Sequence, residues 1–262
     1  MDKKNLKDSI RRELKEAAKD IVRLGGWQDF RSGDWVFRLI ERTFRRKSES
    51  AASESIFAKY PGHTHEQIAH KLIGAASKKA ALAGAITGAA VSADELVALF
   101  TAGEAGVGLP ANMAIAAIAI CAEVFYTAKI QLEVVAELGN LYEIALDPDE
   151  PEDILTILNF ALGGAIADLA GNRLMHMGPQ FSKAVVGRYY AKKEAFETVK
   201  RLARKLSYRL VRRSVANAVV PGVSIFVGAM WNRRTTKIIG RTVVRHFSLR
   251  QQSANRTEPD AR

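Results

Sequence analysis

The sequence predicts an all-α protein: a multi-helix bundle with glycine- and alanine-rich, close-packed helices and an N-terminal amphipathic helical arm. Three observations carry this. Apolar residues recur three and four positions apart along most of the chain, and no stretch alternates apolar with polar long enough for a strand. Ala, Leu, Ile and Val dominate the 48% of hydrophobic residues, while aromatics make up only 8%. Proline is rare before the middle of the chain, where only Pro61 and Pro110 occur, so long helices can run unbroken.

The elements follow in order. Residues 3–24 carry Leu6, Ile10, Leu14, Ala17 or Ala18, and Ile21 at helical spacing with Lys and Arg between, and Gly25-Gly26 ends the run. A short segment with Trp27, Phe30 and Trp35 leads to a second helix over 34–47, and the Ser/Ala/Glu stretch 48–55 reads as a linker. Thr64 and Gln67 form a capping box, so a helix opens there and runs to about residue 91. Along it Ala80, Gly84 and Gly88 lie four apart, as do Ser77, Ala81, Ala85 and Ala89 on the next face. Small residues at that spacing let two helix backbones approach closely. Pro110 precedes a long helix over 111–139, with a predicted stop at Gly139-Asn140. The turn Asp147-Pro148-Asp149-Glu150-Pro151 caps the next helix, because proline suits the first helical position and carboxylates suit the positive helix end. That helix, 151–171, again has small residues every four, at Gly163, Ala167 and Gly171. After Gly178-Pro179 comes a basic amphipathic helix, with Phe196, Val199, Leu202, Leu206 and Leu210 on one face. Residues 214–232 are uncharged and split by Pro221-Gly222, and a final helix runs over about 224–248. The domain reading is an arm over 1–50, a helical domain over 56–248 and a disordered tail over 249–262.

Charge is more telling by segment than in total. Residues 1–47 carry a net +6, residues 48–187 −9 and residues 188–250 +14, and the tail is neutral, within a total of +11. A strongly positive end beside an acidic middle calls for an anionic partner, either lipid headgroups or nucleic acid. The single cysteine, Cys121, rules out internal disulfides and cysteine metal sites. The charged N-terminus lacks the apolar run of a secretory signal, so the expected address is the cytoplasm.

Three stretches together resemble the EcsC protein family, known mostly from bacteria. The first is Ala81-Leu82-Ala83-Gly84-Ala85-Ile86-Thr87-Gly88, similar to that family's G-x-x-T-G helix. The second runs from Gly108-Leu109-Pro110-Ala111 through Lys129-Ile130-Gln131-Leu132 to Glu137-Leu138-Gly139-Asn140-Leu141-Tyr142 and the Asp147-Pro148-Asp149 turn. The third is Val220-Pro221-Gly222-Val223, then Gly228-Ala229, Asn232 and Thr235-Thr236-Lys237-Ile238. Where the family tends to have Arg after Gln-Leu this chain has Glu133, and the glycine that follows Tyr in the family is Glu143 here. The resemblance covers about residues 60–248. It implies a helical, membrane-associated protein of undefined activity, and it brings no catalytic residues with it.

Read from the residues alone, no catalytic, cofactor or metal site stands out. His65 and His70 are five apart and do not share a helix face as the two histidines of H-E-x-x-H do. The carboxylates at 147, 149, 150, 152 and 153 lack the EF-hand spacing and its glycine, and read as turn and cap. Gly103, Gly106 and Gly108 are followed by no Gly-Lys-Ser/Thr, and no G-x-S-x-G occurs. Glu104, Glu123 and Asp168 sit in apolar helices, where a carboxylate must be paired or wet. These could face a polar cavity or Lys78 and Lys79, and the expectation is an ion pair or a surface position rather than a catalytic acid.

The basic C-terminal region is the functional candidate. The uncharged run 214–232 is flanked by Arg212-Arg213 and Arg233-Arg234. Each of its arms of about nine residues would make roughly 14 Å of helix, against about 30 Å of hydrocarbon. A hairpin dipping into one leaflet puts both arginine pairs at the headgroups and Val220 and Phe226 among acyl chains. A helical hairpin buried in the bundle competes on equal terms. The expectation is therefore a non-enzymatic, peripheral protein that binds an anionic surface on the inner face of the plasma membrane. The predicted lipid-binding residues are Arg212, Arg213, Arg233, Arg234, Val220 and Phe226, and the predicted helix-packing residues are Gly84, Gly88, Gly163 and Gly171. The alternatives are a nucleic-acid-binding module using 188–250, which lacks a recognisable motif and aromatic interleaving, and an unrecognised lipid-related enzyme.

Overall fold

The computed structural model describes residues 3–23, 33–50, 53–90, 111–161, 201, 204 and 224–257. The protein is all-α: among the described residues there are seven helices and no strand. They are α1 (Lys3–Arg23), α2 (Asp34–Ser50), α3 (Ser53–Lys59), α4 (His65–Ala90), α5 (Ala111–Leu141), α6 (Pro151–Ala161) and α7 (Ser224–Thr257).

Each helix buries the stripe its spacing dictates. In α1, Ile10, Leu14 and Ala17 are buried, while the flanking charges pair locally, as in Arg11–Asp8 and Lys19–Glu16. In α2, Trp35, Val36, Leu39, Ile40 and Phe44 are buried. This helix continues to Ser50 and α3 opens at Ser53, so most of the predicted linker is helix. Its Ala and Glu residues are good helix formers, and no glycine or proline interrupts them.

The predicted capping box opens α4. Thr64 N–H donates to Gln67 Oε1 at 3.0 Å and Gln67 N–H donates to Thr64 Oγ1 at 3.3 Å, which satisfies two amides at the helix start. The inward face of α4 is Ile68, Ile73, Ser77, Ala80, Ala83, Gly84 and Thr87. It draws on both predicted small-residue rows, and Ala81, Ala85 and Gly88 are only half-buried.

From Ile120 onward α5 is buried on most of its circumference, including Cys121, Phe125, Tyr126, Leu132, Val135 and Leu138. A helix apolar all round belongs inside. It passes the predicted stop and ends at Leu141, because Gly139 serves packing there: a Cβ on it would lie 3.0 Å from Ile144 O. The stop is a Schellman motif one turn later. Ile144 N–H donates to Gly139 O at 2.8 Å, Glu143 N–H donates to Asn140 O at 3.3 Å, and Glu143 takes the left-handed position with φ 56°.

Pro151 opens α6 as predicted. The acidic turn before it is spent on its own backbone: Asp149 N–H donates to Asp147 Oδ1 at 2.8 Å and Asp147 N–H donates to Asp153 Oδ2 at 2.9 Å. Arg45 of α2 forks onto both Asp149 oxygens at 3.2 and 3.1 Å. The last helix, α7, runs to Thr257 and takes in most of the stretch predicted to be a disordered tail, since nothing before Pro259 breaks it.

The chain divides into two compact units. One comprises Met1–Val36, Ser77–Ile130 and Arg204–Thr235, and the other Phe37–Ala76, Gln131–Ala203 and Thr236–Arg262. In the first, Trp35 packs on Phe125 at 5.7 Å between ring centroids, and Lys129 meets Glu13 at 4.0 Å. In the second, Phe160 packs against Phe247 at 5.9 Å, and a Cβ on Gly240 would fall 2.5 Å from Ile73 Cγ1. There a buried Gln131 donates to Thr236 Oγ1 over a long 3.4 Å. No helix among the described residues is long and apolar enough to cross a membrane.

Candidate functional site

Two features stand out from the packing, the outer face of α7 and a polar contact where its first turns cross α4.

The sequence of α7 contains seven cationic side chains and no acidic one. Its inward stripe is Thr236, Ile239, Gly240, Val243 and Phe247. Opposite, at steps of three and four, lie Arg234, Lys237, Arg241 and Arg245, with Arg233 beside them. Arg233, Arg234, Arg241 and Arg245 are exposed and Lys237 is half-exposed. Alongside runs an apolar stripe, Trp231, Ile238 and Leu249, whose spacings of seven and eleven return each side chain to nearly the same side of the helix. Four large apolar side chains are exposed among the described residues: Met230 at 53%, Trp231 at 41%, Ile238 at 53% and Leu249 at 56%. All four belong to α7. From Met230 to Leu249 this face is roughly 28 Å long.

The second feature lies within the first unit. At Gly84 of α4 a Cβ would fall 2.7 Å from Asn232 Nδ2 and 2.9 Å from the Gly228 carbonyl of α7, so the two backbones touch through glycine. Asn232 Nδ2 also donates to Glu123 Oε1 of α5 at 2.9 Å. Glu123 keeps part of its surface, yet burial of the carboxyl pushes it up to about 7, opposed in part by the Asn232 bond. The sequence paired this residue with Lys78 or Lys79 or put it at the surface; the structure pairs it with a neutral amide instead. Burial likewise pushes the Cys121 thiol up, which keeps it protonated and unreactive.

Of the other predicted site residues, Arg233 and Arg234 are exposed on α7, Gly84 is at the crossing, and Gly88 is half-buried one turn on. Phe226 is in α7. Arg212, Arg213, Val220, Gly163 and Gly171 lie outside the described residues, as does the basic helix 188–213 except for Arg201 and Arg204, both exposed. Sequence reasoning missed Gly228 as a packing residue and the exposed stripe Trp231–Ile238–Leu249. The signal for the stripe was present in the 7- and 11-residue spacing between cations.

The histidine-rich start of α4 makes local contacts. His63 lies 3.1 Å from Pro61 O through Nδ1 and 2.7 Å from Lys71 Nζ through Nε2, and His65 stacks edge-on to Phe57. Among the described residues no group of three His, Cys, Asp or Glu side chains is arranged to hold a metal ion.

No family model, curated protein or solved structure matches this chain.

Proposed function

We propose that the protein is a peripheral, non-enzymatic membrane-associated protein that binds an anionic lipid surface on the cytoplasmic side through α7. The observation that carries this is the coincidence, on one helix face, of five cations and the four exposed large apolar side chains. Cations on a solvated face need no apolar neighbours, and phosphates of a nucleic-acid backbone would leave Trp231, Ile238 and Leu249 unused. A bilayer interface uses both, because headgroups meet the guanidinium groups while Trp, Ile and Leu enter the acyl boundary. Each Lys or Arg near an anionic leaflet contributes about 1 kcal/mol, so five supply about 5 kcal/mol before any insertion.

The EcsC resemblance implies the same association. Its first and third stretches meet at Gly84 and Gly228, and its second and third at Gln131 and Thr236. The reading also shifts the expected contact from the tip of a 214–232 hairpin to the length of α7.

The test is co-sedimentation of the full chain with vesicles of phosphatidylcholine alone or with about a third phosphatidylglycerol. Binding is expected to the anionic vesicles only, and to fall at least tenfold in Ile238→Asp/Leu249→Asp, which circular dichroism should show still folded because both positions are exposed. Equal binding of that variant, together with tight, strongly salt-dependent binding to nucleic acid, would replace this reading with the nucleic-acid one.

A further inference from the structure

Glu123 is a carboxyl placed at a glycine-to-glycine helix contact of its unit, with an amide as its hydrogen-bond partner. Gly84 and Gly228 bring the backbones of α4 and α7 together, and Asn232 fills the corner between them, close enough that even a methyl group on Gly84 would strike it. From that corner Asn232 reaches Glu123 on α5. Three helices therefore meet through one side-chain hydrogen bond, and one end of it can change charge.

The charged groups on these elements do not neutralise that change. On α4, Lys78 is exposed and Lys79 half-buried, and neither makes an ion pair with Glu123. On α7, Arg233 and Arg234 point outward, and on α5 Lys129 is engaged by Glu13 of α1. The inward residues of α4 at the crossing, Ala80, Ala83, Gly84 and Thr87, do not titrate, and the nearest other titratable groups on α5 are the Cys121 thiol, which burial keeps protonated, and the buried Tyr126 phenol.

We propose that Glu123 is a proton-operated catch on the α4–α7 crossing. Protonated, the neutral carboxyl accepts from Asn232 and lets the apolar surfaces close around it. Ionised, it meets no cation among the described residues, and it gains further solvation when the crossing opens and the first turns of α7 move away from Gly84. The burial that raises the Glu123 carboxyl to about 7 puts the changeover near neutrality. Asn232 lies next to Trp231 and Arg233, so release of this corner alters the presentation of the outer face of α7. The catch does not depend on that face binding lipid, and its test contains none.

The experiment is carbon-13 NMR titration of the glutamate carboxyls in the full chain, with Glu123 assigned by its loss in Glu123→Gln. A midpoint near 7 is expected, and one in the ordinary range near 4.5 overturns the proposal. In parallel, hydrogen exchange of residues 81–88 and 224–235 is compared at pH 6 and 8.5 after correction for intrinsic rates. Exchange in the parent should be about tenfold faster at pH 8.5, and Glu123→Gln, which keeps the acceptor and removes the charge, should remove that difference. A parent whose protection does not change with pH overturns the catch whether or not the variant folds, as does a variant that responds like the parent.

Discussion

At Glu143 the backbone adopts φ 56° to close the Schellman motif after α5, a conformation that costs an L-residue about 1–2 kcal/mol and glycine almost nothing. This is the position where the EcsC pattern has glycine, and the Glu143 side chain is exposed. Glu143→Gly is therefore expected to stabilise the protein by about 1 kcal/mol, read as a higher urea midpoint at unchanged slope. Two α4 glycines give a contrast of opposite sign. A Cβ on Gly74 meets nothing within 4 Å, so Gly74→Ala should add up to about 1 kcal/mol through helix propensity. Gly84→Ala drives a methyl into Asn232 and the Gly228 backbone and should cost about 1–3 kcal/mol. Denaturant melts of the two variants decide it: equal midpoints would mean that α7 does not touch α4 at Gly84.

As an element, α7 carries its cations and its apolar stripe on adjoining strips of one face, and the two strips should respond to different variables. Screening weakens the contribution of the arginines beyond a Debye length of about 8 Å at physiological salt but leaves apolar insertion intact. Arg241→Ala/Arg245→Ala should therefore lower vesicle affinity and flatten its dependence on salt. Ile238→Asp should lower affinity while leaving most of that dependence in place. Trp231 should shift its emission to the blue on binding, and the absence of a shift in a binding-competent protein would argue against insertion of the face.

At the scale of the whole molecule, two half-buried groups pull stability in opposite directions as they titrate. Glu123 holds its proton to about 7 in the fold but only to about 4.5 in the unfolded chain, so its contribution is lost as pH rises through that window and stays constant above it. His246 packs against Phe160 at 5.0 Å, and burial, with Arg250 nearby, lowers it below its ordinary 6.5. The unfolded chain then binds the proton more readily, so stability rises with pH up to about 6.5. Just below pH 6.5 the two slopes oppose each other. Glu123→Gln should melt at temperatures that rise with pH over this range, and His246→Gln at temperatures that fall. Parallel curves for the two variants would show that at least one of these groups titrates normally.

Most of the fold was legible because its determinants are local. Thr64 and Gln67 reach each other across three residues, Pro151 needs only its own ring, and the stripes of α1 and α2 are set by a 3.6-residue period. The end of α5 falls within two residues of the predicted Gly139-Asn140, but the left-handed residue that closes it is Glu143, because Gly139 packs against Ile144. The functional features were less legible because they depend on which surfaces meet. Glu123 and Asn232 are 109 residues apart, Gln131 and Thr236 105, and Arg45 and Asp149 104. The spacing of small residues in α4 allowed a close contact on either of two faces. The approach of Gly228 selected the face that carries Gly84, because contact area, and not helix propensity, determines which face is buried. The sequence by itself determined the described helices other than α3, most of their ends and the cationic character of α7. Only the tertiary structure decided that Trp231, Ile238 and Leu249 remain outside and that Glu123 meets the Asn232 amide, since exposure is a property of the packed chain and not of any residue's neighbours in sequence.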